Sequence, residues 1–282
     1  MKPVTGGVFY MGNQTSNSGN PNYNNTANAY TVHQVALSSF YMSETEITQK
    51  MYQTVMNIDA PSPNWDAYGK CPTCAAYRIN WYDAIAFCNK LSVLDGKTPC
   101  YTVTGISDWV NLAYDAIPHS NYDATWNAVI WDKTADGYRL ATEAEWEYAA
   151  RGGQKNRYTR TLGAEGTQYV YSGSNNLDSV AWHSGNGSSQ SHPVKSKKAN
   201  ELGLYDMSGN VWEYCWDWAG NAYSTCCVES PDGGGSTTER VMRGGCWYVG
   251  TYRNSVSERF NPSGMWNRGA QDLGFRIARS AL

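Results

Sequence analysis

Between Arg243-Gly-Gly-Cys-Trp247 and Leu273-Gly-Phe-Arg-Ile277 lie twenty-five residues with neither a helical nor a strand period. The two bracketing blocks read as short rigid pieces of backbone. The stretch between them carries Tyr248, Tyr252, Phe260 and Trp266 among glycines, asparagines and serines. Large aromatics in such a run are either pinned into a core or displayed to a partner. A fold that accommodates this segment needs a rigid scaffold beneath it, which also limits the entropy lost on binding.

Composition narrows the classes. A formal net charge of −3 gives no nucleic-acid footprint, and no stretch has the length and apolarity of a transmembrane segment. Charged residues make up 17% and aromatics 13%, which indicates a globular chain with a Tyr/Trp-rich interior and surface and argues against disorder. The N-terminal Met1-Lys-Pro-Val-Thr-Gly-Gly lacks an apolar signal core, so the protein is either cytoplasmic or missing an export segment. Cys71-Pro-Thr-Cys74 has no second ligand pair at zinc-finger distance, which leaves a loop disulfide or two free thiols ahead of a zinc site. Cys226 and Cys227 are adjacent, a geometry that strains a mutual bridge.

Along the chain, Val8 to Met11 reads as a strand and residues 13 to 31 as a long surface loop. Alternation over His33 to Met42 predicts one strand, and Thr48 is a candidate cap for a helix to Met56. Trp81, Ile85, Cys88 and Leu91 recur at helical spacing, with Asp95-Gly96 as the stop, which makes Cys88 a small buried hydrophobe. A short strand over Cys100 to Val103 precedes an irregular insertion, 104 to 137, whose Trp109, Trp126 and Trp131 are expected to pack internally. Thr142-Glu-Ala-Glu145 is a capping box opening a helix that ends at Gly152-Gly153. Leu202 to Tyr205, Val211 to Trp216, Arg240 to Arg243 and Phe275 to Ala278 read as short strands. With no repeat, linker or charge run, residues 1–282 are expected to form a single α+β domain of short strands, two or more helices and much irregular structure.

Several blocks resemble the formylglycine-generating-enzyme type of C-type-lectin-like domain. They are Gly7 to Gly12, Phe40 to Thr48, Trp81 to Cys88, Arg139 to Gly153, Asn200 to Tyr214, Arg240 to Gly245 and Gly274 to Arg276. The chain departs from that pattern at Ala141, where the family usually has proline, and in the 104 to 137 insertion. The resemblance implies that oxidase members would place a copper-binding cysteine pair at positions matching Val249 and Asn254. Neither is a thiol, and Cys246 stands where the family commonly has serine, so oxidase catalysis is not expected. His33, His119, His183 and His192 are scattered and offer no substitute metal site.

The C-terminal part also resembles the variable proteins of diversity-generating retroelements, and most of all their treponemal members, which are surface-displayed lipoproteins. Arg240 to Trp247, Ser255, Ser257, Arg259, Pro262, Arg268 and Gly274 to Arg276 match the fixed positions of that layout. The resemblance implies a variable binding region at 240–276, with Tyr248, Val249, Gly250, Tyr252, Arg253, Phe260, Asn261, Met265, Trp266 and Gln271 as ligand-binding positions. It also implies display at the cell surface on a lipid anchor.

Tyr, Trp and Arg dominate binding hot spots, and antibody paratopes use the same Tyr/Ser/Gly/Asn vocabulary. Tyr248, Tyr252, Phe260 and Trp266 are therefore expected to be displayed, with Trp247 and Phe275 as core. Glu143, Glu145 and Glu147 are expected to stabilise a helix start. Asn210 and Glu213 match a block that in some relatives holds structural calcium, and oxygen donors suit that ion. No other cofactor is required. Pro231-Asp-Gly-Gly-Gly-Ser236 lacks the lysine and following helix of a phosphate loop. The expected activity is non-enzymatic binding of a protein or other surface macromolecule by a monomer. The alternatives are a copper oxidase of the formylglycine-generating type and a calcium-dependent lectin.

Overall fold

The computed structural model describes residues 1–12, 32–59, 65–119, 122–155, 169–219, 239–260 and 271–281. The proposed surface loop 13–31, the Cys226-Cys227 pair and the glycine loop 231–236 lie outside the described residues.

Strands β1 (Lys2–Val4) and β2 (Gly7–Met11) open the chain, followed by β3 (His33–Leu37) and β4 (Phe40–Met42). Where alternation predicts one strand over 33 to 42, the structure has two, parted at Ser38-Ser39, because the halves serve different sheets. Among the described residues β3 pairs only with β2, whereas β4 enters a four-stranded sheet. Helix α1 (Gln49–Met56) begins where the Thr48 hydroxyl accepts from the Met51 amide. Helix α2 (Trp81–Leu94) opens on a reciprocal box between Asn80 and Asp83, and buries Trp81, Tyr82, Ile85, Phe87 and Cys88.

The insertion expected to be irregular contains a helical turn, α3 (Ala124–Asn127), and a strand. β5 (Tyr101–Thr102) pairs antiparallel with β6 (Ile130–Trp131). Trp109 and Trp126 are buried as expected, in edge contact at 6.1 Å, and Trp131 packs on Trp216 at 5.5 Å. β7 (Arg139–Leu140) leads into α4 (Glu143–Ala150), whose Thr142–Glu145 capping box forms as the sequence predicts. A short helix, α5 (Leu177–Val180), follows. Leu202 to Tyr205 is not a strand. The Asn200 side chain accepts from the amides of Leu202 and Leu204 and bends the backbone into a turn that still buries both leucines.

The last strands are β8 (Trp212–Trp218), β9 (Arg240–Arg243), β10 (Leu273–Gly274) and β11 (Ile277–Ser280). The closing strand thus lies two residues beyond its expected position, with β10 split off in front of it. One sheet runs β1-β4-β11-β7 and a second runs β10-β8-β9. One core cluster gathers Tyr52, Trp65, Phe87, Trp247 and Phe275; another, under α4, gathers Phe9, Phe40, Met42, Trp146 and Tyr148. Trp247 and Phe275 are core residues, as the sequence suggests.

Buried ion pairs tie α4 to the C-terminal strands. Glu143, Glu145 and Glu147 do far more than favour a helix start, because all three are buried and each answers an arginine. Glu143 meets Arg259 at 2.9 Å, Glu145 meets Arg139 at 2.6 Å, and Glu147 binds both Arg151 at 2.8 Å and Arg243. Arg243 further donates to the Glu258 and Val256 carbonyls. An isolated buried charge costs several kcal/mol, so each of these groups holds the others in one geometry.

Candidate functional site

The stretch after β9 is held at both ends and along its floor. Gly244 and Gly245 take φ of +98° and +82°, a region that favours glycine, and turn the chain sharply out of the strand. Trp247 follows, buried, with its amide donating to the Asn210 carbonyl at 2.8 Å. Its ring meets Tyr77 edge-on at 5.4 Å and stacks on Tyr68 at 6.4 Å. Thr251–Asn254 forms a single 3₁₀ turn, and the buried Asn254 side chain donates back to the Gly250 carbonyl at 2.7 Å. The Val249 carbonyl accepts from Ser184 at 3.1 Å, which fastens the turn to a neighbouring loop.

On this frame the expected binding residues divide. Tyr248 is 45% exposed and Tyr252 49%, the displayed pair. Gly250 is also exposed, and Val249, Arg253 and Gln271 are half-buried, Val249 against the core. The Arg253 guanidinium lies over Tyr252 at 5.5 Å and over Phe260 at 5.1 Å. Phe260 departs from expectation. It stacks on Trp212 at 4.9 Å, and its backbone exchanges hydrogen bonds with Met242 of β9, so it belongs to the floor of the site. The bridge to Met242 fixes its side chain inward, which a loop-like sequence does not reveal. Asn261, Met265 and Trp266 lie outside the described residues.

The expected calcium donors do not fit that ion. Asn210 and Glu213 are wholly buried. Asn210 Nδ2 donates to Glu46 Oε2 at 2.7 Å, and its Oδ1 accepts from the His192 amide at 2.9 Å. Glu213 receives Arg276 at 2.6 and 2.7 Å and the Trp146 indole at 2.6 Å. These oxygens already hold protein donors and a full counter-charge, so the pair is a structural network. Among the described residues there is no group of three His, Cys, Asp or Glu side chains that could hold a metal.

Copper chemistry of the cysteine-pair kind also lacks its donors, since Val249 and Asn254 supply no sulfur. Cys246 is buried and donates to Asp272 Oδ2 at 3.3 Å. Burial, followed by the nearby Asp272 charge, pushes its thiol well above the usual range and suppresses the nucleophilic thiolate. Cys71 and Cys74 form a disulfide, one of the two outcomes the spacing left open.

Two residues at this face escaped the sequence reading. Tyr68 stacks beneath Trp247, and Arg78 lies over Tyr68 at 5.6 Å. Both precede α2 in a segment without periodicity, and only tertiary packing brings them to the C-terminal stretch.

Comparison with known proteins bears on the family and the fold. A family model described as the sulfatase-modifying factor enzyme 1-like domain matches residues 1–281. Among solved structures, Treponema denticola variable protein 1 superposes with a TM-score of 0.81 at 35% identity, covering 99% of this chain and 94% of that one. The chaperone protein LppX of Paenibacillus barcinonensis is 36% identical over 92% of this chain and 86% of its own length. The formylglycine-generating enzyme of Mus musculus is 26% identical, spanning all of this chain and 75% of the enzyme.

Proposed function

The chain belongs to the sulfatase-modifying factor family, and from that premise we propose that it is a non-enzymatic ligand-binding protein of the receptor-recognition or adhesin kind. Its binding face is the stretch 248–272, and the positions on that face are diversified by a retroelement. The observation that carries this reading is the pairing of two half-exposed tyrosines, Tyr248 and Tyr252, with a backbone fixed from below by Gly245, Asn254 and Trp247. A rigid frame under replaceable side chains lets many sequences share one fold, and it spares the ligand the cost of ordering a loop. Likeness to a protein named for its variability supports the same reading. Display at the cell surface on a lipid anchor belongs to the proposal, and labelling cells with a radioactive fatty acid tests it.

The decisive experiment is the sequence of the flanking DNA. A second copy of the segment encoding 240–276, differing at adenines and lying beside a reverse transcriptase gene, is the expected result. A locus with neither sinks the diversification part of the proposal.

The oxidase reading has the mouse enzyme in its favour and the missing sulfur pair against it. Copper titration is expected to show no stoichiometric site. A site lost in Cys246→Ser would reverse that judgement. For the lectin reading, ligand binding that survives a calcium chelator is the adverse outcome.

A further inference from the structure

Three scaffold arginines are matched to acids: Arg243 to Glu147, Arg259 to Glu143 and Arg276 to Glu213. A fourth, Arg240, is buried among Trp81, Trp216 and Trp218 and donates to the Trp216 carbonyl, whereas Arg78 and Arg253 lie beside the proposed binding stretch. Neither has a carboxylate partner or a salt bridge among the described residues; their close neighbours are aromatic rings. Arg78 Nε is buried with no hydrogen-bond partner, and the residue holds a φ of +58°, an unfavourable setting for a side chain of that size. Tertiary contacts impose it: the next amide, Ile79, donates to the Leu273 carbonyl at 3.1 Å, beside the end of the binding stretch.

An aromatic row leads from Arg78 into the loop that carries Arg253. Arg78 covers Tyr68, Tyr68 stacks on Trp247 at 6.4 Å, and Trp247 meets Tyr248 at 6.5 Å. Arg253 follows five residues on in the same loop, its guanidinium over Tyr252 and its carbonyl 2.8 Å from where a Cβ on Gly245 would lie. Asp272 is buried beneath the row and engaged by Cys246, and Asp66, two residues before Tyr68, is paired with Lys70. A cationic row on a chain of net charge −3 is not a by-product of overall charge. Stacking on a ring fixes the plane of a guanidinium, and a planar fork matches a carboxylate with two parallel hydrogen bonds.

We infer that this face selects an acidic protein segment, whose carboxylates are gripped by Arg78 and Arg253 while its side chains pack on Tyr248 and Tyr252. The inference rests on the reading of 248–272 as a binding face and adds Arg78, which lies outside that stretch, as a fixed anchor. The tyrosines beside the charges favour a peptide, because hot spots of protein interfaces combine Tyr with Arg.

The test is fluorescence anisotropy with labelled peptides of alternating Tyr and Glu, Tyr and Gln, or Tyr and Lys, against the full chain. The Glu peptide is expected to bind at least tenfold more tightly than the Gln peptide, with affinity falling as salt rises. Arg78→Gln and Arg253→Gln should each weaken it about tenfold. Arg78→Lys should fall between, because it keeps the charge without the fork. Arg279→Gln is the control: it removes the same charge from a residue packed over Tyr41 on another sheet, and should change nothing. Thermal unfolding of each variant is recorded, so that loss of fold in Arg78→Gln leaves Arg78→Lys and Arg253→Gln to decide. Equal binding of the Glu and Gln peptides, or no binding of any peptide, overturns the inference. So does a sulfated polysaccharide that binds through the same arginines where the Glu peptide does not. If the arginine variants bind normally while Tyr248→Ala and Tyr252→Ala do not, the anion preference fails and the binding face stands. If the arginine variants lose binding and the tyrosine variants keep it, the face itself has been misassigned.

Discussion

Arg276 grips Glu213 at two points, Nε to Oε2 at 2.6 Å and Nη2 to Oε1 at 2.7 Å, with both side chains 1% exposed. The pair joins the start of β8 to the turn between β10 and β11, and Trp146 of α4 donates to the same carboxylate. Three parts of the molecule thus meet at one buried charge. Glu213→Ala takes away the only carboxylate that Arg276 bonds at two points among the described residues and is expected to cost about 3–5 kcal/mol. Replacing both partners with apolar residues should cost much less. Urea unfolding of the single and double variants measures the difference.

Gly245 and Gly250 make a contrast within one loop. A Cβ on Gly245, at φ +82°, would lie 2.3 Å from Asn254 Oδ1 and 2.8 Å from the Arg253 carbonyl. Gly245→Ala is therefore expected to lose at least about 2 kcal/mol from strain and displacement. Gly250, with φ −73° and nothing within 4 Å of a new Cβ, should accept alanine within about 0.5 kcal/mol. Denaturant midpoints separate a frame position from a replaceable one.

The aromatic residues of the site should divide in the same way. Tyr248→Ala and Tyr252→Ala remove half-exposed side chains and are expected to change stability by no more than about 1 kcal/mol. Phe260→Ala takes away the ring stacked on Trp212 and should cost roughly 2 kcal/mol, about half of what a fully buried phenylalanine costs. A Phe260→Ala variant as stable as wild type would return Phe260 to the displayed set.

Stability should also depend on pH through the insertion. His119 Nε2 lies 3.3 Å from Asp83 Oδ1, and the hydrogen bond to Asp83 outweighs burial to raise the imidazole above its usual value of 6.5. A base whose folded value is raised adds stability that is complete below its unfolded value and is lost as pH climbs through the folded one. Stability is therefore expected to fall as pH climbs above 6.5, with a shallower slope in His119→Asn. Asp206, raised by burial to about 6, and the buried Glu46 and Asp217, also raised, are present in both proteins, so the difference between the two slopes reports His119. Urea midpoints across a pH series starting at 6.5 read it, and identical slopes in wild type and variant would remove the pair from consideration.

The sequence was most informative where structure is local. The caps at Thr48 and Thr142 each depend on a side chain and an amide three residues on, so both partners can be read from one short string; the Asn80 cap is of the same local kind but was not singled out. Trp247 and Phe275 were legible as core, and Tyr248 and Tyr252 as displayed, because glycines and small polar residues around them announce the loop. Leu202 to Leu204 misled because an apolar run says nothing about the Asn200 side chain that takes its backbone donors.

By itself, then, the sequence determined the family frame, the helix caps at Thr48 and Thr142, and the exposure of Tyr248 and Tyr252 in the stretch proposed to bind. Tertiary structure alone decided which carboxylate meets which arginine, since Glu213 and Arg276 are 63 residues apart and Glu147 and Arg243 are 96. It also turned Phe260 inward onto Trp212, spent Asn210 and Glu213 on internal partners, and brought Tyr68 and Arg78 against Trp247. The physical reason is the same in each case. Burial makes an unmatched charge or an unfilled space costly, and the groups that satisfy it come from wherever the chain happens to pass.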